Sequence, residues 1–154
     1  MLIAALLVNS DNIHCKDSAA TSKKRVIESI SLQLAANTGL ISADAIFDAL
    51  FDRERLGSTG LGKGVAIPHA RVPGITHTIA AMLTLDHPVD FDASDKEGVD
   101  IIFALLVPED DGGDHLEHLA SLVTTFRDPK ICQSIRKVDD ADKLFDLLLA
   151  IDDD

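Results

Sequence analysis

Residues 53 to 71 read RERLGSTGLGKGVAIPHAR and bring together most of the residue types that could do chemistry. Glycine lets backbone N–H groups approach an anion closely, arginine clamps oxyanions with a planar fork, and histidine is a nucleophile or base near neutral pH. A packed core has no need for that mixture. The stretch therefore predicts a site for a phosphate-sized anion, with His69 at its centre.

The same stretch comes close to a nucleotide-binding loop. Gly57 to Gly64 reads GSTGLGKG, whereas such loops read G-x-x-x-x-G-K-[ST] and hold magnesium with the final hydroxyl. The order of elements is also reversed, because a helical pattern precedes this loop. A short strand, Val65 to Ile67, follows the loop and is expected to stop at Pro68. These differences exclude ATP binding as the preferred interpretation.

Two of the six histidines stand where a sheet edge or a helix end would present them. His69 follows Pro68 directly, so we expect its ring at the carboxyl edge of the sheet, where α/β proteins bind ligands. His115 falls at the first position of a helix capped by Asp114, where exposed N–H groups attract anions and favour a neutral imidazole. The remaining histidines are interpreted as ordinary surface, turn or strand-end residues: His14, His77, His87 and His118.

Two other kinds of site remain open as alternatives. His69 and His115 could form part of a metal site, although the nearby loops offer no clear third ligand at metal spacing. Ser58 or Thr59 could act as a nucleophile with a histidine base. The GSTG loop lacks the strand, nucleophile and helix arrangement of such serines, so these two hydroxyls more simply hold an anion.

The spacing of apolar residues predicts five helices, two of which begin with a capping residue, Ser42 and Asp114. In the third helix, Leu116, Leu119, Val123 and Phe126 are expected to form the buried stripe. The basic residues 23–25, in the first turn of the first helix, are interpreted as a solvated face. The predicted starts are Ser22, Ser42, Asp114, Asp128, and Asp139 or Asp140.

Two longer strand patterns complete an α/β layered domain. Residues 77–86 alternate apolar and polar side chains, which predicts a half-buried strand. Residues 86–88 are expected to turn the chain, and residues 89–91 to form a brief edge segment. The continuous apolar run 101–107 predicts a central strand buried on both faces and stopped by Pro108.

Composition limits the classes of partner. The 154 residues are expected to form one domain spanning 1–154, with a formal net charge of −12 and only 4% aromatic residues. The few aromatic residues argue against base stacking with single-stranded nucleic acid, and the negative charge argues against nucleic acid and anionic membranes. The charge indicates either a partner with a basic docking face or a contribution to solubility alone. Cys15 and Cys132 form no paired motif, which indicates a reducing cytosol. The apolar opening MLIAALLV is too short for a membrane span and is expected to dock on the domain.

Three segments carry a family resemblance: RERLGSTGLGKGVAIPHAR, then FDASDKEGVDIIFALLVP, then DHLEHLASL. In this order and spacing they closely resemble the enzyme IIA domains of the fructose, mannitol and nitrogen class of the bacterial phosphotransferase system. The likeness covers nearly the whole chain. A domain with no attached membrane or carrier domain is most similar to the nitrogen-related regulatory branch. The resemblance implies a cytoplasmic protein with a mixed sheet flanked by helices and no cofactor.

The resemblance also implies a role for each candidate residue. His69 matches the histidine that accepts a phosphoryl group from a phosphocarrier of the HPr or NPr type. His115 matches the second active-site histidine, which hydrogen-bonds near that group. Arg53, Ser58 and Thr59 match residues that support the site. Neither a metal nor a nucleotide is implied.

Two positions depart from the family pattern, and two functions remain open. Ala70 stands where many members have glycine, and Lys63 where asparagine or histidine is common, so partner fit or loop geometry is expected to differ. The first function is a regulator whose phosphorylation state changes which target proteins it contacts. The alternative is a sugar-specific component that passes the phosphoryl group to an enzyme IIB transporter domain.

Overall fold

A mixed β-sheet lies between two layers of helices in this computed structural model, which describes residues 3–153. The α/β prediction of a mixed sheet flanked by helices is confirmed. The strands are β1 Ile13–Asp17, β2 Gly60–Gly62, β3 Val65–Ala66, β4 His69–Val72, β5 Ile79–Val89 and β6 Val99–Pro108. The helices are α1 Ile3–Leu7, α2 Lys23–Thr38, α3 Ala43–Leu56, α4 Asp114–Phe126, α5 Pro129–Arg136 and α6 Ala141–Asp152, with a 3-10 turn at Ser10–Asn12.

Strand β6 is the centre of the sheet, as the sequence predicts. The order is β1-β5-β6-β3-β2; β6 runs antiparallel to β5 and parallel to β3, and β1 runs parallel to β5. Strand β4 also pairs with β6, further along the same side. Val65 lies opposite Ile101 and His69 lies opposite Leu105, so β3 and β4 act as one strand interrupted between residues 66 and 69.

Both faces of β6 are buried because helices cover the sheet on both sides. Ile102, Ala104 and Leu106 pack in the core formed with α2 and α3. The residues between and beside them, Ile101, Phe103, Leu105 and Val107, pack in the second core, formed with α1, α4, α5 and α6. This two-sided burial explains why the strand is a continuous apolar run.

Strand β5 departs from its prediction in three ways. Residues 80–85 are all buried, so the half-buried pattern is wrong; Ala80 and Met82 face the second core and would be solvated only in a sheet covered on one side. No turn forms at residues 86–88, because the strand continues to Val89 across an irregularity in its pairing with β6. Residues 89–91 form no separate edge segment, because Val89 belongs to β5 and the strand ends there; Phe91 is fully buried.

Most helix starts are confirmed, but α4 differs. Ser22, Ser42, Asp128 and Asp140 cap their helices through side-chain oxygens. Asp114, in contrast, is the first helical residue rather than the cap, which makes His115 the second. The predicted buried stripe of α4 is confirmed in part, because Phe126 is buried and Leu119 and Val123 pack partly buried against the second core. Leu116 is 62% exposed, and the fully buried positions are Leu122 and Phe126.

The amino-terminal segment docks as predicted for the residues that the structure describes; the first two residues lie outside that range. Ile3, Ala4 and Leu7 are buried in the second core. The backbone N–H groups of Ile3 and Ala4 donate to the Asp152 carboxylate at 2.9 and 2.8 Å, which joins α1 to the end of α6. Within residues 3–153, no helix is long and apolar enough to cross a membrane.

Candidate functional site

One surface cavity of about 420 Å³ brings together three of the five predicted site residues: Arg53, His69 and His115. It opens where α3, β4 and the start of α4 meet beside the carboxyl end of β6. Ser58 and Thr59 do not border it. Its walls are formed by Ala49, Asp52, Arg53, Leu56, His69, Ala70, Arg71, Val107 and His115.

His69 is fixed at the start of a strand, which corrects the prediction that it lies beyond a strand end. Pro68 has no N–H to donate and therefore interrupts the ladder. The Pro68 carbonyl nevertheless accepts a bond from the Leu105 N–H at 2.9 Å, and pairing resumes with His69 opposite Leu105. The pairing of Pro68 and His69 with Leu105 on the central strand therefore holds the backbone of His69 in place.

The imidazole of His69 has a defined proton position. Its Nδ1 lies 2.8 Å from the Ile67 carbonyl oxygen. A carbonyl only accepts, so Nδ1 carries the hydrogen and Nε2 carries the lone pair. Burial lowers the pKa of His69 below its ordinary value of 6.5, and the nearby Arg53 and His115 lower it further, against the opposing Ile67 carbonyl and Glu54. The ring is therefore neutral and nucleophilic at neutral pH.

His115 is held by Asp111, a residue that the sequence reasoning passed over. One carboxylate oxygen of Asp111 lies 2.6 Å from the backbone nitrogen of His115 and 2.8 Å from its ring Nδ1. The N-cap position of α4 is Gly113 rather than the predicted Asp114, and Asp111 accepts the N–H of His115, the second residue of the helix. The backbone N–H of His115 is the main reason why the pKa of Asp111 is lowered.

Two guanidinium groups border the same cavity. Arg53 lies in the last turn of α3 and donates from Nη1 to the Gly57 carbonyl at 2.9 Å. Arg71 donates from Nη1 to the Glu109 carbonyl at 3.0 Å and places Nη2 beside the His115 ring. Sequence analysis missed Arg71, but a signal was present. It lies two residues after His69, and residues at that spacing share one face of a strand.

The glycine-rich loop is a β-hairpin rather than an open cradle for an anion. Strands β2 and β3 pair antiparallel, with Lys63 and Gly64 at the tip in left-handed conformations, φ 57° and 86°. The Lys63 N–H donates to Asp95 at 2.8 Å, and its carbonyl accepts from Arg136 at 2.9 Å. No residue of the hairpin borders the cavity.

Ser58 and Thr59 hold this loop against its neighbours. The Ser58 hydroxyl donates to the Phe91 carbonyl at 2.7 Å. Thr59 donates to the buried Glu54 carboxylate from its hydroxyl at 2.6 Å and from its N–H at 2.9 Å. Lys23 pairs with the same carboxylate at 3.0 Å, so the prediction that it belongs to a solvated face is wrong. Because Glu54 follows Arg53 on α3, this network positions the helix that carries Arg53.

Metal ligands do not gather at this site. Within residues 3–153, no three His, Cys, Asp or Glu side chains are arranged as a metal site. Among the described histidines, only His69 and His115 border the cavity. The arrangement is therefore one neutral imidazole, a second imidazole held by a carboxylate, and two arginines, which suits an oxyanion.

The family described as "Phosphoenolpyruvate-dependent sugar phosphotransferase system, EIIA 2" matches residues 6–151. The chain belongs to this EIIA family. A relative from Pseudomonas aeruginosa, named nitrogen regulatory protein, is 42% identical over 130 residues, which cover 84% of each chain. The resemblance inferred from the sequence motifs is thereby confirmed.

Two solved structures share the EIIA fold. Nitrogen regulatory protein IIA-Ntr from Neisseria meningitidis has a TM-score of 0.86 and 39% identity, and the match covers 95% of this chain and 98% of that one. Enzyme IIAMTL from Escherichia coli, solved in complex with phosphorylated enzyme IIBMTL, has a TM-score of 0.72 and 21% identity. That match covers 91% of this chain and 95% of the other. The second likeness shows the fold alone.

Proposed function

We propose that this EIIA protein accepts a phosphoryl group on Nε2 of His69 from a histidine-phosphorylated carrier of the HPr or NPr type. The observation that carries the proposal is the bond between His69 Nδ1 and the Ile67 carbonyl, which leaves the Nε2 lone pair available. Membership of the phosphotransferase family supports the phosphoryl group as the substrate.

In the proposed transfer, every bond that forms is matched by one that breaks, and neither a metal nor a nucleotide is needed. The Nε2 lone pair of His69 forms the new N–P bond, while the N–P bond of the donor breaks and its electron pair stays on the donor imidazole. The N–H at Nδ1 of His69 keeps its hydrogen bond to the Ile67 carbonyl, which holds the ring with Nε2 directed at the donor phosphorus. Phosphoryl transfer of this kind depends mainly on positioning and on stabilising charge.

Arg53, Arg71 and His115 stabilise the oxyanion in this proposal, because all three border the cavity that contains His69. Ser58 and Thr59 support the site indirectly, since their hydroxyls bond to Phe91 and Glu54 rather than facing the cavity. Fixed cations and hydrogen-bond donors of this sort cost little reorganisation at the moment of transfer.

The proposed output is regulatory. The Pseudomonas relative and the Neisseria structure both carry nitrogen regulatory names and are 42% and 39% identical to this chain, which supports the same branch here. A phosphoryl group adds about two negative charges at a surface site and can create or break a docking face for target proteins. Phosphorylation of His69 would therefore select which target the protein contacts.

A sugar-specific role is the second candidate, because the family description names the sugar phosphotransferase system. The two functions differ in their acceptor. A sugar-specific protein passes the phosphoryl group from His69 to an enzyme IIB domain, whereas a regulator binds its targets in one phosphorylation state only. Incubating the phosphorylated protein with purified IIB domains distinguishes them, since loss of label to IIB favours the sugar role.

The direct test is transfer from phosphoenolpyruvate through purified enzyme I and HPr-type carriers. Wild type is expected to gain an acid-labile, base-stable label, and His69→Ala to gain none. His87→Ala is the matched control, because His87 is exposed on β5 and does not border the cavity. Label on His69→Ala, or equal loss in both variants, would rule out His69 as the acceptor.

A further inference from the structure

Asp111 makes two contacts to His115 and is well placed to control its proton. The Asp111 side chain is only 7% exposed, and the same oxygen meets the backbone nitrogen and the ring Nδ1 of His115. An ionised carboxylate can only accept hydrogen bonds. Nδ1 of His115 therefore carries a hydrogen, and Nε2 is the nitrogen left to interact with a ligand.

Arg71 holds the same ring from another direction. Its Nη2 lies 3.4 Å from Nδ1 and 3.5 Å from Nε2 of His115. Both distances are long for a hydrogen bond, and they are nearly equal. The guanidinium is itself anchored on the Glu109 carbonyl at 3.0 Å. Asp111 thus holds the imidazole at Nδ1, and Arg71 lies close to both ring nitrogens.

This arrangement restricts what His115 can offer to a phosphoryl oxygen. A neutral imidazole with its hydrogen on Nδ1 presents a lone pair at Nε2, and a lone pair repels an oxyanion. Only the doubly protonated ring donates from Nε2 while keeping its bond to Asp111. We propose that Asp111 is a positioning residue that couples phosphorylation of His69 to the uptake of a second proton by His115. This inference rests on the proposed transfer to His69.

The charges around the ring are balanced in a way that allows this coupling. Groups of both charges surround the ring, since the Asp111 carboxylate contacts Nδ1 and the guanidinium groups of Arg71 and Arg53 border the same cavity. Phosphorylation adds about two negative charges to the cavity and shifts that balance towards the imidazolium. The proton comes from solvent, and no bond to phosphorus changes in this step. The titratable groups nearest the ring on the surrounding elements are Asp52 and Arg53 on α3, His69 and Arg71 on β4, Glu109, Asp110 and Asp111 in the loop, and Asp114, Glu117 and His118 on α4.

The first arm of the test reads the tautomer of His115 in the unphosphorylated full-length chain. Nitrogen NMR of protein labelled with ¹⁵N-histidine is expected to show hydrogen on Nδ1 and not on Nε2. Asp111→Ala removes the acceptor and is expected to shift the hydrogen to Nε2. Asp110→Asn is the matched control, because it removes a carboxylate from the same loop that does not border the site. Hydrogen on Nε2 in wild type would overturn the proposal.

The second arm repeats the spectrum after phosphorylation at the same pH. Wild type and Asp110→Asn are expected to show both His115 nitrogens protonated. Asp111→Asn keeps an acceptor oxygen but loses the charge, so it is expected to take up less of the second proton. Its phosphorylation rate should fall about tenfold or more, since hydrogen bonds to charged groups are worth roughly 1.5–3 kcal/mol. A singly protonated His115 in phosphorylated wild type, or equal behaviour of Asp111→Asn and wild type, would overturn the coupling.

Phosphoramidate, a small chemical donor that needs no partner protein, separates this inference from the proposed function. If His69 is labelled by the carrier or by phosphoramidate while His115 keeps one proton, only the coupling is wrong. If neither donor labels His69, the proposed function fails and the coupling fails with it. In either case, the nitrogen NMR of the unphosphorylated protein still decides whether Asp111 positions the His115 ring.

Discussion

At the scale of single residues, the reactivity proposed for His69 follows from one carbonyl and from burial. The Ile67 carbonyl fixes the hydrogen on Nδ1, and burial lowers the pKa of the ring. These two effects act together. They leave Nε2 both unprotonated and directed away from its backbone partner, as an in-line nucleophile requires.

The lowered pKa of His69 predicts a specific pH dependence. A free imidazole would be half protonated at 6.5, but His69 should stay neutral there because burial disfavours its charged form. The rate of phosphoryl acceptance should therefore hold as the pH falls through 6.5 and decline only below it. Proton NMR titration of the His69 ring checks this directly. A His69 midpoint above 6.5 would contradict the assignment.

Residue types and spacing predicted the central part of the site but not the residues that orient it. His69 and His115 could be singled out from their local sequence positions, whereas Arg53 came from the family resemblance. Asp111 was missed because its contact to His115 depends on where α4 begins, and helix boundaries are the least certain feature of a sequence. Ser58 and Thr59 were chosen for their hydroxyls, whereas the structure shows those hydroxyls occupied by Phe91 and Glu54.

At the scale of elements, the β2–β3 hairpin is fastened at its tip. The Arg136 Nε bonds both oxygens of Asp100 at 3.0 and 2.9 Å, and its Nη2 reaches the Lys63 carbonyl. Gly64 fits between these groups, since a Cβ there would lie 2.4 Å from Arg136 Nη2 and 3.0 Å from Asp100. The hairpin leads into β3 and then to His69, so its tip helps to hold the strand that carries the site.

Two glycine variants measure how much the Arg136 contact at the hairpin tip contributes to the free energy of unfolding. Gly64 and Gly74 have almost the same φ, 86° and 87°, but nothing lies within 4 Å of a Cβ built at Gly74. Gly74→Ala should lower the free energy of unfolding by about 1 to 2 kcal/mol through backbone strain alone. Gly64→Ala should cost about 1 kcal/mol more, because Arg136 must leave a hydrogen bond. Urea denaturation checks the difference, and equal losses would show that the Arg136 contact contributes nothing.

Element types were predictable where capping and periodicity agree, and unpredictable where tertiary burial decides. The α2, α3, α5 and α6 starts carry clear caps. Strand β5 was read as half-buried and as ending before residues 86–88, since only the packed helices reveal that both faces are covered. Strand β1 went unpredicted because its five residues IHCKD show no apolar pattern of their own. Its strand conformation comes from pairing with β5.

At the scale of the whole molecule, charge and apolar exposure describe the surface that a carrier would meet. The formal net charge is −12. Leu56, on the cavity wall, is 85% exposed, and Leu116, directly after His115, is 62% exposed. Exposed apolar side chains beside the cavity that contains His69 suit a protein partner, and the overall negative charge suits one with a basic docking face.

Association with such a carrier should depend strongly on salt. Opposite charges on the two proteins would speed their encounter at low ionic strength, and salt would screen that attraction. The second-order rate of phosphoryl transfer should fall about tenfold or more between low and high sodium chloride. Phosphorylation by phosphoramidate, a small anion that has no protein docking face, should change much less. Equal salt dependence of the two donors would contradict electrostatic docking.

The most direct test of the central proposal, phosphoryl acceptance on Nε2 of His69, is phosphorus NMR of the protein labelled through enzyme I and an HPr-type carrier. The account predicts one phosphohistidine signal of the Nε2-linked type in wild type and no signal in His69→Ala. A signal of the Nδ1-linked type would contradict the tautomer fixed by the Ile67 carbonyl. A signal that persists in His69→Ala would contradict the acceptor itself.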